Sequence, residues 1–427
     1  KADEDTDDII LCKAGTYTPT ATIVISTAMT VRGGLKGTDD ETLAENGERS
    51  VFDTQNNTAA STIFSVTTTS GLNTFEGIEV RNAYQRGFNK SGAGSLSFKN
   101  CVFDSCGRKD LSAFSDIRGQ AGIFSGGANA TLTFDKCVFS RNIYESNETG
   151  GKLVGYGLAV GFKKWKRVII DNSLFISNGL GRACLYSTAG GKGLNNVRGA
   201  AIYASESPLT VRNTEFKANR TGISAAYGGI VYIRYPGGET TSNKPTYTAF
   251  TNCLFLANSC EHCASDSSSK EASVLVLRSK VKDELDVVNC TFAYNFTASA
   301  NNVSAGIDVG SSNSKANIRN SIFYGAQKTS GLKCGKDICV TSGCTANIDY
   351  CLFEEDSKAC ISGAGIINKG SNNVFGDPKF VRAITANEIA SIMVNNGSYY
   401  GYAADAYEKV FSKANVHARN RKLTVDT

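Results

Sequence analysis

Apolar and polar residues alternate with a spacing of two in short bursts along most of the chain, and helical spacing is hard to find before the last stretch. The bursts also recur. The unit reads NCVFDSC at 100–106, KCVFSRN at 136–142, NSLFISN at 172–178, NTEFKAN at 213–219, NCLFLANSC at 252–260 and NCTFAYN at 289–295. Its phenylalanine falls at Phe103, Phe139, Phe175, Phe216, Phe255, Phe292, Phe323 and Phe353, at intervals of 36, 36, 41, 39, 37, 31 and 30 residues, with Val80 one rung earlier. Seven and five residues before each Phe stand mostly apolar pairs, from Leu96 and Phe98 to Ala346 and Ile348, which describe a strand with one buried face. A third apolar segment, often led by Gly, precedes each unit: AGIF at 121, YGLAV at 156, GAAIYA at 199, GGIVYI at 228, SVLVL at 273, AGIDV at 305, DICV at 337 and AGII at 364.

Three before the Phe stands Asn100, Asn172, Asn213, Asn252, Asn289 or Asn320, and three after it Asn142, Asn178, Asn219, Asn258 or Asn295. Both rows read as corners. Asn tolerates the left-handed region, and its amide can bond to the same amide one coil above and below. Three short strands per turn, repeated every 30 to 40 residues, predict an all-β, right-handed parallel β-helix of about 10–12 coils and roughly 50 Å, since stacked strands lie about 4.8 Å apart. A β-sandwich has no reason to repeat a full register at that period.

The pattern divides the chain into an N-terminal cap with the first coils (1–60), the β-helix (61–383) and a segment without the repeat (384–427). An open parallel edge invites aggregation, so a cover over the first coil is expected. In the last segment ANEIASIMV and AADAYEKVF read as short helices closing the far end, in an irregular or partly helical cap or a linker toward a missing anchor or sorting region. The chain starts at Lys1 without Met and shows no signal peptide, and it reads as a processed or excised piece of a longer exported protein. No apolar run reaches the ~20 residues of a membrane helix. A net charge of +5 with 20% charged residues is too weak and dispersed a bias for nucleic acid.

Of 14 Cys, five share one repeat position, Cys101, Cys137, Cys253, Cys290 and Cys351, where other rungs have Ser173, Thr214 and Ser321. They read as stacked buried thiols, because inward neighbours have Cβ vectors too parallel for a relaxed bridge; vertical disulfides are the alternative. Cys260, Cys263, Cys334, Cys339, Cys344 and Cys360 lie in or near loops and are the disulfide candidates of an exported protein. SCEHC at 259–263 offers metal ligands too, but without a fourth the expectation is no metal. Nine Asn-x-Ser/Thr sequons are present, several of them on the Asn rows.

Insertions of variable length follow the FxxN corner and emerge along one edge, as in a recognition surface on a constant scaffold. FKKWKR gathers Lys163, Lys164, Lys166 and Arg167 around the only Trp, Trp165, a candidate contact for an acidic glycan or lipid head group if it is not merely a solvated turn. Val102, Val138, Leu174, Leu254, Ile322 and Leu352 form an outward apolar stripe that loops cover or a partner does.

KAGTYTP and VRGGLKGT near the start and FGDPKFV at 375–381, with the β-helix coils between, resemble the large right-handed β-helix surface proteins of Bacteroidetes and related bacteria. In these a GDPxF segment closes the helix ahead of an anchor. The repeated FxxN, with GGANA and GGIVYI, is similar to the coils of chlamydial polymorphic outer-membrane proteins. The resemblance implies an exported protein displayed at the cell surface, outer-membrane attached, and usually assigned to adhesion. The expected function is a noncatalytic adhesin-like β-helix presenting loops to a glycan, a protein or other surface-assembly subunits. The alternative is a β-helical polysaccharide lyase or glycoside hydrolase, which needs carboxylates converging from adjacent coils, with Ca²⁺ the only cofactor in view and only under the lyase reading. Asp104, Asp135 and Asp171 read as different offsets from the Phe, which leaves no recurring outward carboxylate and no catalytic residue to name.

Overall fold

A computed structural model describes residues 8–37, 42–44, 47–107, 117–119, 121–144, 154–180, 196–222, 229–235, 247–263, 273–279, 283–297, 304–310, 313–328, 336–355, 360–395, 399–403 and 405–418. Among these, three long parallel sheets carry the fold. Sheet A has 12 strands from Ile9–Lys13 to Ile366–Lys369, sheet B 12 from Gly15–Tyr17 to Val374–Phe375, and sheet C 11 from Ile23–Ile25 to Ile361–Ser362. In each, strand order follows chain order, so every strand pairs with its counterpart one coil away. The molecule is a right-handed parallel β-helix, the hand favoured by parallel crossovers.

Local chemistry sets the corners. Between sheets A and B the chain turns on a single left-handed residue: Asn100, Asn172, Asn213, Asn252, Asn289 and Asn320 have φ of 50°, 48°, 49°, 55°, 55° and 50°. After sheet B the left-handed residue is the one before the second Asn, as at Arg141, Ser177, Ala218, Ala257 and Tyr294. The second Asn row therefore does not make the bend. It is buried and forms an amide ladder: Asn219 Nδ2 donates to Phe175 O at 2.9 Å and to Asn258 Oδ1 at 3.0 Å, and its own Oδ1 accepts from Asn178 Nδ2 at 2.9 Å.

Inside the rod the repeat phenylalanines stack face to face, with centroids 4.4 Å apart for Phe139 and Phe175 and 4.5 Å for Phe255 and Phe292. The Cys column lies beside them. Its hydroxyl members donate back to the strand they follow, Ser173 Oγ to Asp171 O at 2.7 Å and Thr214 Oγ1 to Arg212 O at 2.7 Å, and Cys253 Sγ does the same to Thr251 O at 3.4 Å. No disulfide joins the described cysteines. Of the cysteines expected in or near loops, Cys260 and Cys339 lie within strands (Ser259–Cys263 and Ile338–Val340) and Cys344 and Cys360 lie between strands, all four buried. Cys334 and the Cys263 side chain lie outside the described residues.

Most of the inserted residues also lie outside the described set, and the described start of each insertion is a short strand. Ile143–Tyr144, Gly179–Leu180, Arg220–Gly222, Ser259–Cys263, Phe296–Thr297 and Gln327–Lys328 form a short fourth parallel sheet.

The C-terminal stretch contains two helices, α1 (Ala386–Ile392), opened by a Thr385–Glu388 capping box, and α2 (Ala406–Lys409). They do not close the far end. After Phe380–Arg382 the chain folds back along the flank as a strap: Ile384 N donates to Tyr294 Oη at 2.9 Å, Tyr402 Oη donates to Tyr294 O at 2.7 Å, and Tyr399–Tyr402 pairs antiparallel with Ser259–Cys263. The reason is the apolar flank that these coils present. Leu256, Ala293, Tyr294 and Phe296 are buried there in one cluster with Phe380, Ile389, Ile392, Tyr402 and Phe411, and Leu254 and Ile322 of the outward stripe pack against it.

Candidate functional site

Lys163 ends a sheet C strand and Arg167 opens the next sheet A strand, so the basic turn sits at the corner between them, with Lys163, Lys164, Lys166 and Arg167 exposed. Trp165 is not available as a contact. It is 2% exposed, donates from Nε1 to Phe124 O at 2.9 Å, and covers Gly126, where a Cβ would come within 2.3 Å of the indole. Further bonds from Lys164 N to Ser205 O at 3.2 Å and from Lys166 N to Ala130 O at 3.1 Å fix the backbone. Buried Trp165 thus anchors the backbone of the turn that carries the cations.

Lys163 does not stand alone. Sheet C register pairs it with Ser205, Ser205 with Arg234, Arg234 with Arg278 and Arg278 with Gly310, placing Lys163, Arg234 and Arg278 in one column. Two residues earlier runs a parallel column of Tyr203, Tyr232, Val276 and Asp308. Tyr203 and Tyr232 stack at 6.1 Å, and the Arg198 guanidinium lies 5.5 Å from the centre of the Tyr232 ring. Arg278 leans over Gly310, leaving no room for a Cβ, and holds Asp308 Oδ2 at 3.0 Å. Burial pushes the Asp308 carboxyl up while Arg278 pulls it down. The cluster opens at Lys163, is half-buried at Tyr203 and Arg234, and closes at Tyr232 and Asp308. Among the described residues Lys163, Arg198, Arg234 and Arg278 stand in or beside this cluster, with Asp308 paired to Arg278. Guanidinium forks and ring faces recognise anionic, planar or sugar-like groups through charge-assisted hydrogen bonds and stacking.

The carboxylates are placed differently from the sequence reading. Asp135 and Asp171 share the same offset from their Phe and pair directly in sheet A, which corrects the expectation of different offsets. Asp53, Arg81 and Asp104 share a column of sheet B. All are engaged: Arg81 Nε meets Asp53 at 2.8 Å, Arg141 Nε meets Asp104 at 2.9 Å, and Arg212 meets Asp171 at 2.7 Å. Glu79, beside Arg81, is pushed up by burial, with Arg81 opposing. Tyr247 donates to Asp286 at 2.7 Å and is pushed up to about 12, a proton donor rather than a base. Among the described residues no group of three or more His, Cys, Asp or Glu is arranged to hold a metal ion.

Counting from the Phe does not find the tyrosine and arginine columns, because insertions change the distance from it. Counting from the Gly-led strand does: VGFK, IYAS, VYIR and VLVLR align Lys163 with Arg234 and Arg278.

No protein-family profile matches the chain, and no curated protein does. Among solved structures it is similar to a tailspike protein from Acinetobacter baumannii bacteriophage Fri1, a capsular polysaccharide depolymerase, at 11% identity and a TM-score of 0.39, covering 86% of this chain and 57% of that one. It is similar to pectate lyase Pel9A at 13% identity and 0.36, over 91% and 78% of the two chains. A mannuronic acid specific polysaccharide family 6 lyase from human gut microbiota gives 12% and 0.37, over 88% and 83%. The match spans little more than half of the tailspike, and at these values no residue of those enzymes transfers to this chain.

Proposed function

We propose that the protein is an exported surface β-helix that binds an anionic polysaccharide without cleaving it, along the sheet C flank from the Lys163 corner toward Arg278. The observation that carries this reading is the in-register column of Lys163, Arg234 and Arg278 beside stacked Tyr203 and Tyr232. Cations one or two coils apart match charges repeated along a polymer, and the Trp165 anchor keeps the exposed end preorganised. Display at the cell surface and adhesion follow from the family resemblance and are part of the proposal.

The test is retention on acidic against neutral polysaccharides as salt is raised. Binding should be selective for the acidic polymers and screened by salt, and Lys163→Glu with Arg234→Glu should weaken it about tenfold or more, some 1.4 kcal/mol. Equal retention of neutral polymers would overturn the reading. Cleavage by β-elimination is the second reading, favoured by the phenols of Tyr203 and Tyr232 beside Arg198; unsaturated products absorbing in the ultraviolet would establish it and remove the noncatalytic one.

A further inference from the structure

Among the described residues the strap turns along the flank, and side chains of the first and last coils stay exposed. The inward residues of sheet B form one column from Tyr17 through Phe52, Val80 and Phe103 to Phe353 and Phe375. In the inner coils these positions are sealed, Phe103, Phe139, Phe175 and Phe216 all at 0% exposure. At the two ends the same column is open, with Tyr17 37% and Phe375 46% exposed. Tyr17 stacks on Phe52 at 5.2 Å on one side, Phe375 lies 6.2 Å from Phe353 on the other, and each presents its second face outward along the axis. Ile10, inward in the first sheet A strand, is 40% exposed. Among the described residues, the edge strands of sheets A, B and C at either end have a partner on one side alone.

We infer that the C-terminal coil of one molecule docks on the N-terminal coil of a second copy, so that the rods join head to tail. Two facts select a second copy as the occupant. The two ends are opposite edges of the same three parallel sheets, so the next coil that either can accept in register is the one the other presents. The aromatic column begins and ends on an exposed ring, and docking places Phe375 of one molecule on Tyr17 of the next, continuing a stack already present at every joint from Phe103 to Phe353. Such a contact uses different surfaces on the two partners and does not close on itself, which makes an open filament. Lys369 is exposed in the column that Ile10 begins and would meet it across the joint. A charge on an edge blunts pairing, so the contact is weak and reversible.

Sedimentation of the whole chain over a range of concentrations tests this. The average mass should rise past that of a dimer, and Lys369→Ile should move the rise to lower concentration. Phe375→Lys and Tyr17→Lys, each checked for native circular dichroism, should be monomeric alone, while an equimolar mixture should give dimers and nothing longer, because one usable joint remains. Monomer at every concentration, a dimer that grows no further in the parent chain, or either variant still elongating would overturn the inference.

Discussion

Two rows of asparagine run along the same rod, six residues apart in the four coils that carry both, and they have opposite roles. Asn100, Asn172, Asn213, Asn252, Asn289 and Asn320 are exposed and occupy the left-handed bend between sheets A and B. Lys136 and Tyr350 fill that position in other coils with φ of 53° and 55°, so the bend requires a backbone conformation more than an amide. Asn142, Asn178, Asn219, Asn258 and Asn295 are between 0% and 2% exposed and have ordinary backbone angles. Their amides satisfy carbonyls and N–H groups that no water reaches: Asn219 Oδ1, for instance, also accepts from Asn178 N at 3.1 Å. One residue type is thus used for conformational tolerance in one row and for completing buried hydrogen bonds in the other.

Substitutions should separate the two roles. The largest effect is expected for Asn219→Ala, which removes the donors to Phe175 O and Asn258 Oδ1 and strands the Asn178 amide. At about 1–3 kcal/mol for each buried group left unsatisfied, a loss of about 3 kcal/mol or more should shift the denaturant midpoint of the chain. A smaller effect, about 1 kcal/mol, is expected for Asn213→Ala at the exposed bend, with Asn213→Gly closer to neutral. If Asn213→Ala cost as much as Asn219→Ala, the distinction would fail.

Buried charges sharpen the same point. Lys90 is inward and 1% exposed, and its ammonium has only Thr68 O at 2.9 Å and Gly92 O at 2.6 Å, so burial brings it down to about 8. The folded chain then holds this proton less tightly than the unfolded one, whose lysine titrates near 10.4. Stability should be lowest below about pH 8 and rise from there toward about pH 10.4, and Lys90→Met should remove that rise. Asp337 has the opposite sign. Burial raises it to about 7, so the folded chain holds its proton more tightly, and stability should fall as pH rises from about 4 to about 7. Asp337→Asn should flatten that fall in thermal melts across the range. The smallest change belongs to Lys379→Ala, whose pair with Asp377 at 3.0 Å is solvated and worth at most about 1 kcal/mol.

The coil architecture was legible because it is periodic. The Phe spacing and the apolar positions seven and five residues before it located sheets A and B, and the Gly-led segments located sheet C. What the repeat could not convey is what lies across it. The destination of residues 380–418 depends on the apolar flank around Tyr294, some 90 residues away, which no local pattern announces. Trp165 read as a surface ring because its neighbours are charged, yet the space above Gly126 draws it inward. The arginine and tyrosine columns were hidden by insertions that change the distance to the reference Phe.

The strap also changes how such a rod comes apart. In a stack where each coil touches only its neighbours, fraying starts at an end and proceeds step by step. The strap ties the coil of Tyr294 to the neighbouring coil that carries Ser259–Cys263, through Ile384, Tyr402 and the Tyr399–Tyr402 strand. A zipper opening from Phe375 would therefore stall once it reached the strap, because the next coils can only be released together. The coils of Phe255 and Phe292 become a spliced length, and under tension or heat the first coils to yield should be those before Phe255, outside the splice.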